Sequence, residues 1–382
     1  MIGIYLHIPF CKSKCGYCDF YATASQTLVQ PTVWAMLHEM ERRKNYFAQV
    51  GKNPSEPQKF TLYVGGGTPS LLPPDMLAAL SQKAIATFCA APPEEFTVEL
   101  NPDDVTPEYL QALRSMGVNR ISIGIQSFFD DDLQRLHRRH SARQAIRSVQ
   151  LAQSAGFDNI SIDLIYGLPH MDCERWRYNL HTAFSLGVQH LSAYALTVEQ
   201  RTPFGVLRRK NRLPLPHEDE VAMQHDLLCQ MSAAQGLVHY EISSFARRGF
   251  FSLHNAAYWQ QQPYIGIGPA AHSYSGGQRQ SNVASCAQYI KGMEEDAAFF
   301  ELENLSAESR YNEYVFTGLR TVWGVSKNYL LKNFDETLTS YFFAGAGKHI
   351  ERKNITVDGD RIAVPESRWF VADSIIVDLI WA

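Results

Sequence analysis

The chain has 382 residues, enough for one large domain and a smaller one. Its 45% hydrophobic content supports a sizeable core, and a formal net charge of −4 argues against the electrostatic footprint of a nucleic-acid binder. Seven cysteines, an odd and mostly scattered set, predict free thiols rather than a disulfide framework, and with no leader signature or bilayer-length apolar run the expectation is a soluble, cytoplasmic protein.

An apolar run at residues 2–8 predicts a buried strand. Cys11, Cys15 and Cys18 follow it, spaced C-x3-C-x2-C. So short a loop cannot close ordinary disulfides without strain, but it can wrap its thiolates round one inorganic centre. Three thiolates are one short of the usual set for a four-iron cluster, which leaves one iron open to an exchangeable group. A zinc site is the rival, but it usually takes four protein ligands, and no second Cys/His pair stands nearby. Three unrelated core cysteines are the plainest alternative, at odds with polar Lys12, Ser13, Lys14 and Asp19 among them.

A helix is predicted over 33–47, a polar linker over 51–58 and a second strand over 60–64. That strand ends in Gly65, Gly66, Gly67, Thr68 and Pro69. No Gly-Lys-Ser/Thr follows, so this is not a P-loop. Bare glycines after a strand let backbone approach a ligand closely, although a tight turn alone would also use them. Leu77, Leu80, Ala84 and Phe88 share a helix face, and a third strand over 96–100 ends at Asn101 and Pro102. Thr106 and Pro107 open a helix as cap and first residue. The fourth strand, 120–125, runs into Gln126. Ser141 and Gln144 form a capping box. The fifth strand covers 159–165, a helix 176–186, and the sixth strand 190–196.

Six strand–helix alternations predict a parallel sheet. The cysteines, the glycine run, Glu99, Gln126 and Asp163 lie in or just after successive strands. Contributions from so many strands favour a (β/α) barrel, whose site is built at the C-terminal strand ends. A doubly wound sheet would gather its site at one switch point. The expectation is an α/β partial barrel of six units over residues 1–237. A helix at 218–235 is followed by a strand at 238–245, then His254, Asn255, Tyr258 and Trp259. Residues 238–305 are expected to form a connecting layer across the barrel mouth. Residues 306–382 are expected to form a small α+β domain, with Tyr311, Tyr314, Val315 and Leu319 on one helix face, a second helix at 327–334 and a hairpin turn at Asp358 and Gly359. Helices before a two-stranded wing resemble a winged-helix module, but no basic recognition stripe appears.

The cysteine loop resembles the cluster motif of the radical S-adenosylmethionine (SAM) superfamily. Tyr5, Leu6, His7, Ile8, Pro9 and Phe10 before it resemble the oxygen-independent coproporphyrinogen III oxidase family, and within it the HemW-type heme chaperones. The resemblance extends over nearly the whole chain and implies the same six-unit part-barrel. It implies that Cys11, Cys15 and Cys18 hold a 4Fe-4S cluster whose remaining iron is chelated by SAM. Tyr5, Tyr17, Gly66, Gly67, Thr68, Glu99, Gln126, Arg138 and Asp163 match positions that contact SAM. Glu99 and Asp163 can also be read as structural carboxylates, and Arg138 as part of a solvated basic run. Two departures from the oxidases stand out. Phe20 occupies the place of a further cysteine, and the chain begins almost directly with its first strand, without their N-terminal arm.

His254, Tyr258 and Trp259 match a motif of the heme chaperones that the oxidases lack. Imidazole is a standard axial ligand for heme iron, and flanking aromatics can stack on a porphyrin. His272 is a second, lesser candidate, and His7 is expected to pack near the cluster. The expected function is binding heme, a SAM-ligated cluster and an apo-hemoprotein acceptor, for heme delivery. The rival is a radical SAM enzyme such as the oxidase.

Overall fold

The structure is a computed structural model describing residues 1–49, 59–89 and 91–381. The linker expected at 51–58 lies outside the described residues. Six apolar runs form parallel strands: β1 (Ile2–Ile8), β2 (Phe60–Gly66), β3 (Glu95–Leu100), β4 (Arg120–Gln126), β5 (Ile160–Tyr166) and β6 (His190–Ala195). They neighbour one another in sequence order, with β1 and β2 in register from Ile2–Phe60 to Ile8–Gly66. Parallel neighbours need crossovers. These are supplied by helices such as Val29–Arg42, Pro74–Phe88, Pro107–Ser115, Ala142–Ser154 and Cys173–Ser185. The sequence cues hold at helix starts: Thr106 caps its helix, and Ser141 and Gln144 form the reciprocal capping box.

The barrel stays open, because β1 and β6 pair with other strands. Beyond β6 lie β7 (Val238–Glu241) and β8 (Ser244–Ala246), with β8 antiparallel to β6. Beyond β1 lies β9 (Tyr264–Ile267), parallel to it. Then β10 (His272–Tyr274), β11 (Gln278–Asn282) and β12 (Phe300–Asn304) follow antiparallel. Among the described residues, 238–305 form no layer over the mouth: their strands extend the sheet at both edges. The single strand expected at 238–245 is a tight hairpin, since Ile242 leaves the ladder and donates to the Arg320 carbonyl.

The C-terminal residues have a core of their own, including Tyr311, Val315, Leu319, Phe342 and Ile376. Three helices, Ala307–Leu319, Lys327–Asn333 and Glu336–Glu351, pack with a small sheet of β13 (Val325–Ser326), β14 (Thr356–Asp358) and β15 (Arg361–Ala363). The helix Glu336–Glu351 was not foreseen, because Gly345 and Gly347 lower its propensity. Packing explains one of them: a Cβ at Gly345 would lie 2.8 Å from Leu379 Cδ2.

Candidate functional site

The C-terminal ends of β1 to β6 surround a cavity of about 670 Å³. Cys11, Cys15, Tyr17 and Cys18 line it from the loop after β1, and all three cysteines are free, half-buried thiols. Gly66, Gly67 and Thr68 enter at the end of β2, Glu99 from β3, Gln126 from β4, Asp163 from β5, and Arg138 from the loop ahead of the helix Ala142–Ser154. The glycines are required. Gly66 has φ 111°, and a Cβ at Gly67 would lie 2.6 Å from the Phe10 carbonyl oxygen and 2.9 Å from that of Ile8. Gln126 is left-handed at φ 70°, where the pairing of β4 with β5 slips. Such a bulge re-aims a side chain, and strain of this kind concentrates at functional sites.

One hydrogen-bonded chain joins two of the cysteines. Arg138 donates to Cys15 Sγ at 3.5 Å, and to Asn101 Oδ1 and the Gly124 carbonyl at 2.7 Å each. Asn101 Nδ2 donates to Thr68 Oγ1 at 3.1 Å, and Thr68 donates to Cys11 Sγ at 3.5 Å. By sequence Asn101 reads only as a strand terminator. Its place one residue after β3 was the available signal. Tyr194 of β6 also lines the cavity unforeseen.

Glu99 accepts from Tyr63 Oη at 2.7 Å and from the Gly66 amide at 3.1 Å. Burial pushes its carboxyl up to about 7, against the Tyr63 hydrogen bond. Burial likewise pushes Asp163 up to about 6, opposed by hydrogen bonds from Ser192 and Ser122 and by the Arg120 charge. Two carboxyls thus share the cavity floor, poised to ionise beside a cationic ligand.

The remaining expected residues lie elsewhere. Tyr5 does not line the cavity; its hydroxyl meets His7 Nδ1 at 3.0 Å inside the barrel. His7 packs near the cysteine loop, its Nε2 3.3 Å from the Tyr21 carbonyl. His254 sits at the opposite end of the barrel, against Gly3 and Thr61 near the starts of β1 and β2. At about 3.3 Å per residue, that is roughly 16 Å along β1 from the cysteine end. Only 1% of His254 is exposed. One ring nitrogen is 2.8 Å from Thr61 Oγ1 and the other 2.7 Å from Tyr258 Oη. The motif makes His254 a candidate axial ligand; here both nitrogens are engaged, because burial in the barrel floor obliges each to find a partner. His254 lies in the helix Leu253–Trp259, and Glu95 holds the start of that helix, accepting from the Leu253 and His254 amides at 2.7 and 3.1 Å.

Known proteins carry the same architecture. The Radical SAM superfamily model matches residues 5–178. Heme chaperone HemW of Bacillus subtilis is 36% identical over 345 residues, covering 90% of this chain and 89% of that protein. The chain belongs to the HemW heme chaperone family. Within the radical SAM superfamily this family implies a 4Fe-4S cluster and SAM. The mouse mitochondrial radical S-adenosyl methionine domain-containing protein 1 is 32% identical, covering 91% of this chain and 79% of its own. The coproporphyrinogen III oxidase HemN of Escherichia coli shares the fold, with TM-score 0.83 over 99% of this chain and 90% of that one, at 21% identity. The HemW-family cavity fits its cofactors. Three thiols share its rim, and two of them already receive hydrogen bonds from Thr68 and Arg138. Among the described residues no helix is long and apolar enough to cross a membrane.

Proposed function

We propose that this protein binds heme and delivers it to an apo-hemoprotein, on a scaffold whose cavity holds a SAM-ligated 4Fe-4S cluster. The alignment with a HemW chaperone over nine-tenths of both chains carries the reading. Cys11, Cys15 and Cys18 would ligate the cluster, and Gly66, Gly67, Thr68, Glu99, Gln126, Arg138 and Asp163 would receive SAM. When bound, the pair supplies one-electron chemistry. Phe20 lines the cavity and is 69% exposed, so it places a phenyl ring where the oxidases carry a thiol.

For heme, the helix Leu253–Trp259 adjoins a second cavity of about 450 Å³, lined by Tyr258, Tyr264, Tyr274, Arg279 and Phe316. Aromatic walls suit a porphyrin face, and a guanidinium suits a propionate. On this reading the observed helix position is the heme-free one. Heme binding draws His254 off Thr61 and Tyr258, freeing a neutral imidazole nitrogen for iron, with Trp259 packing beside it. The test is to incubate anaerobically reconstituted protein with heme and, separately, with coproporphyrinogen III, SAM and a reductant. Retained heme, passed to an apo-hemoprotein without decarboxylation, supports delivery. Decarboxylation without heme retention favours the oxidase reading. His254→Ala should alter the heme spectrum and weaken binding while sparing the iron–sulfur signal; an unchanged spectrum and affinity would remove His254 from the site.

A further inference from the structure

A second cluster of ligating side chains lies far along the chain from the cysteine loop. The helix Glu218–Ala234 carries His225 and Cys229 one turn apart, on one face. His239 projects from β7, and Glu366 opens the 3-10 turn Glu366–Val371 of the C-terminal unit. Cys229 Sγ lies 3.8 Å from His239 Nδ1, and His239 Nδ1 lies 3.2 Å from Glu366 Oε1. The donor atoms of Cys229, His239 and Glu366 all fall within 4.8 Å of one another. Both ring nitrogens of His225 are 3.8–3.9 Å from the same sulfur.

We propose that Cys229, His239 and Glu366, with His225 as fourth donor, bind one Zn2+ ion that clips the C-terminal unit to the barrel edge. Zn–S bonds near 2.3 Å and Zn–N or Zn–O bonds near 2.0–2.1 Å, set tetrahedrally, put donor atoms roughly 3.3–3.6 Å apart. Two observed separations, 3.2 Å between His239 Nδ1 and Glu366 Oε1 and 3.8 Å between Cys229 Sγ and His239 Nδ1, are close to this, while His225 stands beside the sulfur and completes the set by turning its ring towards the other donors. A thiolate, imidazoles and one carboxylate form a donor set suited to zinc. The outer contacts agree as well. His239 Nε2 faces the Ile242 carbonyl at 3.4 Å, and donation there turns the lone pair of Nδ1 towards the sulfur and the carboxylate. Metal-bound histidines are commonly held this way. A neutral Nδ1 lone pair facing a carboxylate is repulsive unless a cation lies between them. Phe245 stacks on His239 with ring centroids 3.9 Å apart, and Trp369 meets it edge-on at 4.2 Å. Solvent reaches the cluster through Glu366, whose side chain is 56% exposed. The competing arrangement is a metal-free hydrogen bond in which His239 Nδ1–H donates to Glu366 Oε1.

The experiment uses the full chain with Cys11, Cys15 and Cys18 all changed to Ala, which removes the cluster chromophore and its competing thiols. Anaerobic titration with Co2+ should saturate at one equivalent, with a thiolate-to-cobalt charge-transfer band and tetrahedral d–d bands, both abolished by Zn2+. Cys229→Ser should remove the charge-transfer band. Glu366→Gln should weaken Zn2+ binding by at least about tenfold, as loss of even an outer contact does. No cobalt uptake, or a charge-transfer band that survives Cys229→Ser, would overturn the site in favour of the His239–Glu366 hydrogen bond. Should Cys229→Ser fail to fold, Glu366→Gln decides: unchanged Zn2+ affinity overturns the proposal, and a tenfold loss sustains it.

Discussion

Burial of His254 makes a quantitative statement about stability and pH. Its imidazole is held neutral in the barrel floor, its pKa lowered by burial from 6.5 to about 3, with the Arg120 charge adding to the effect. The unfolded chain takes up a proton below pH 6.5 that the folded protein refuses. Stability from this group is therefore complete above pH 6.5 and falls as pH drops towards the folded pKa. At about pH 5 the deficit is 1.5 units, or about 2 kcal/mol at 1.36 kcal/mol per unit. His254→Gln keeps hydrogen-bonding capacity towards Thr61 and Tyr258 but cannot titrate. Urea unfolding of heme-free protein at a series of pH values should show wild type losing about 2 kcal/mol more than His254→Gln between neutral pH and about pH 5. His7 and His225, each lowered to about 4 by burial, titrate in both proteins and cancel in the difference. Equal pH dependence in the two proteins would refute the buried, neutral His254, and with it the closed heme-free position of the helix.

Replacing Cys11, Cys15 or Cys18 by Ala should abolish the iron–sulfur absorption after reconstitution, whereas replacing Cys89, Cys173, Cys229 or Cys286 should not; loss of the cluster in one of the latter four would overturn the ligand assignment. Asp163→Ala and Gln126→Ala should weaken SAM binding, measured by calorimetry, with the cluster spectrum intact, and unchanged affinity in both would remove these residues from the SAM site. Gly67→Ala forces a Cβ onto the backbone of Ile8 and Phe10, which has no rotamer to give way. It should destabilise the protein by about 1–3 kcal/mol in chemical unfolding, and a neutral effect would show that the loop after β2 is free to shift.

Much of the barrel and of its cavity was legible in residue type and spacing. A strand buried on both faces must be almost wholly apolar, so β1 to β6 announce themselves, and polar residues at their ends mark the functional rim. Three cysteines in eight positions, interleaved with Lys12, Ser13, Lys14 and Asp19, are unlike packing residues, so Cys11, Cys15 and Cys18 needed no structure to be singled out. Asn101 was missed because asparagine after a strand is ordinary turn chemistry. Its hydrogen bonds to Thr68 and Arg138 exist only once β2, β3 and the Arg138 loop are side by side. Tertiary structure alone decided the rest. Edge strands are short and mixed in polarity, so nothing in residues 238–305 told a covering layer from an extension of the sheet. His254 reads as a ligand in a motif, and in the fold described here it is buried with both ring nitrogens hydrogen-bonded, because accessibility is set by what packs on a side chain. Cys229, His239 and Glu366 are scattered over more than a hundred residues and come within 4.8 Å of one another only where the C-terminal unit meets the barrel edge. Local sequence determines periodicity and caps through neighbours a few bonds away, but which distant donors converge is fixed by packing between elements.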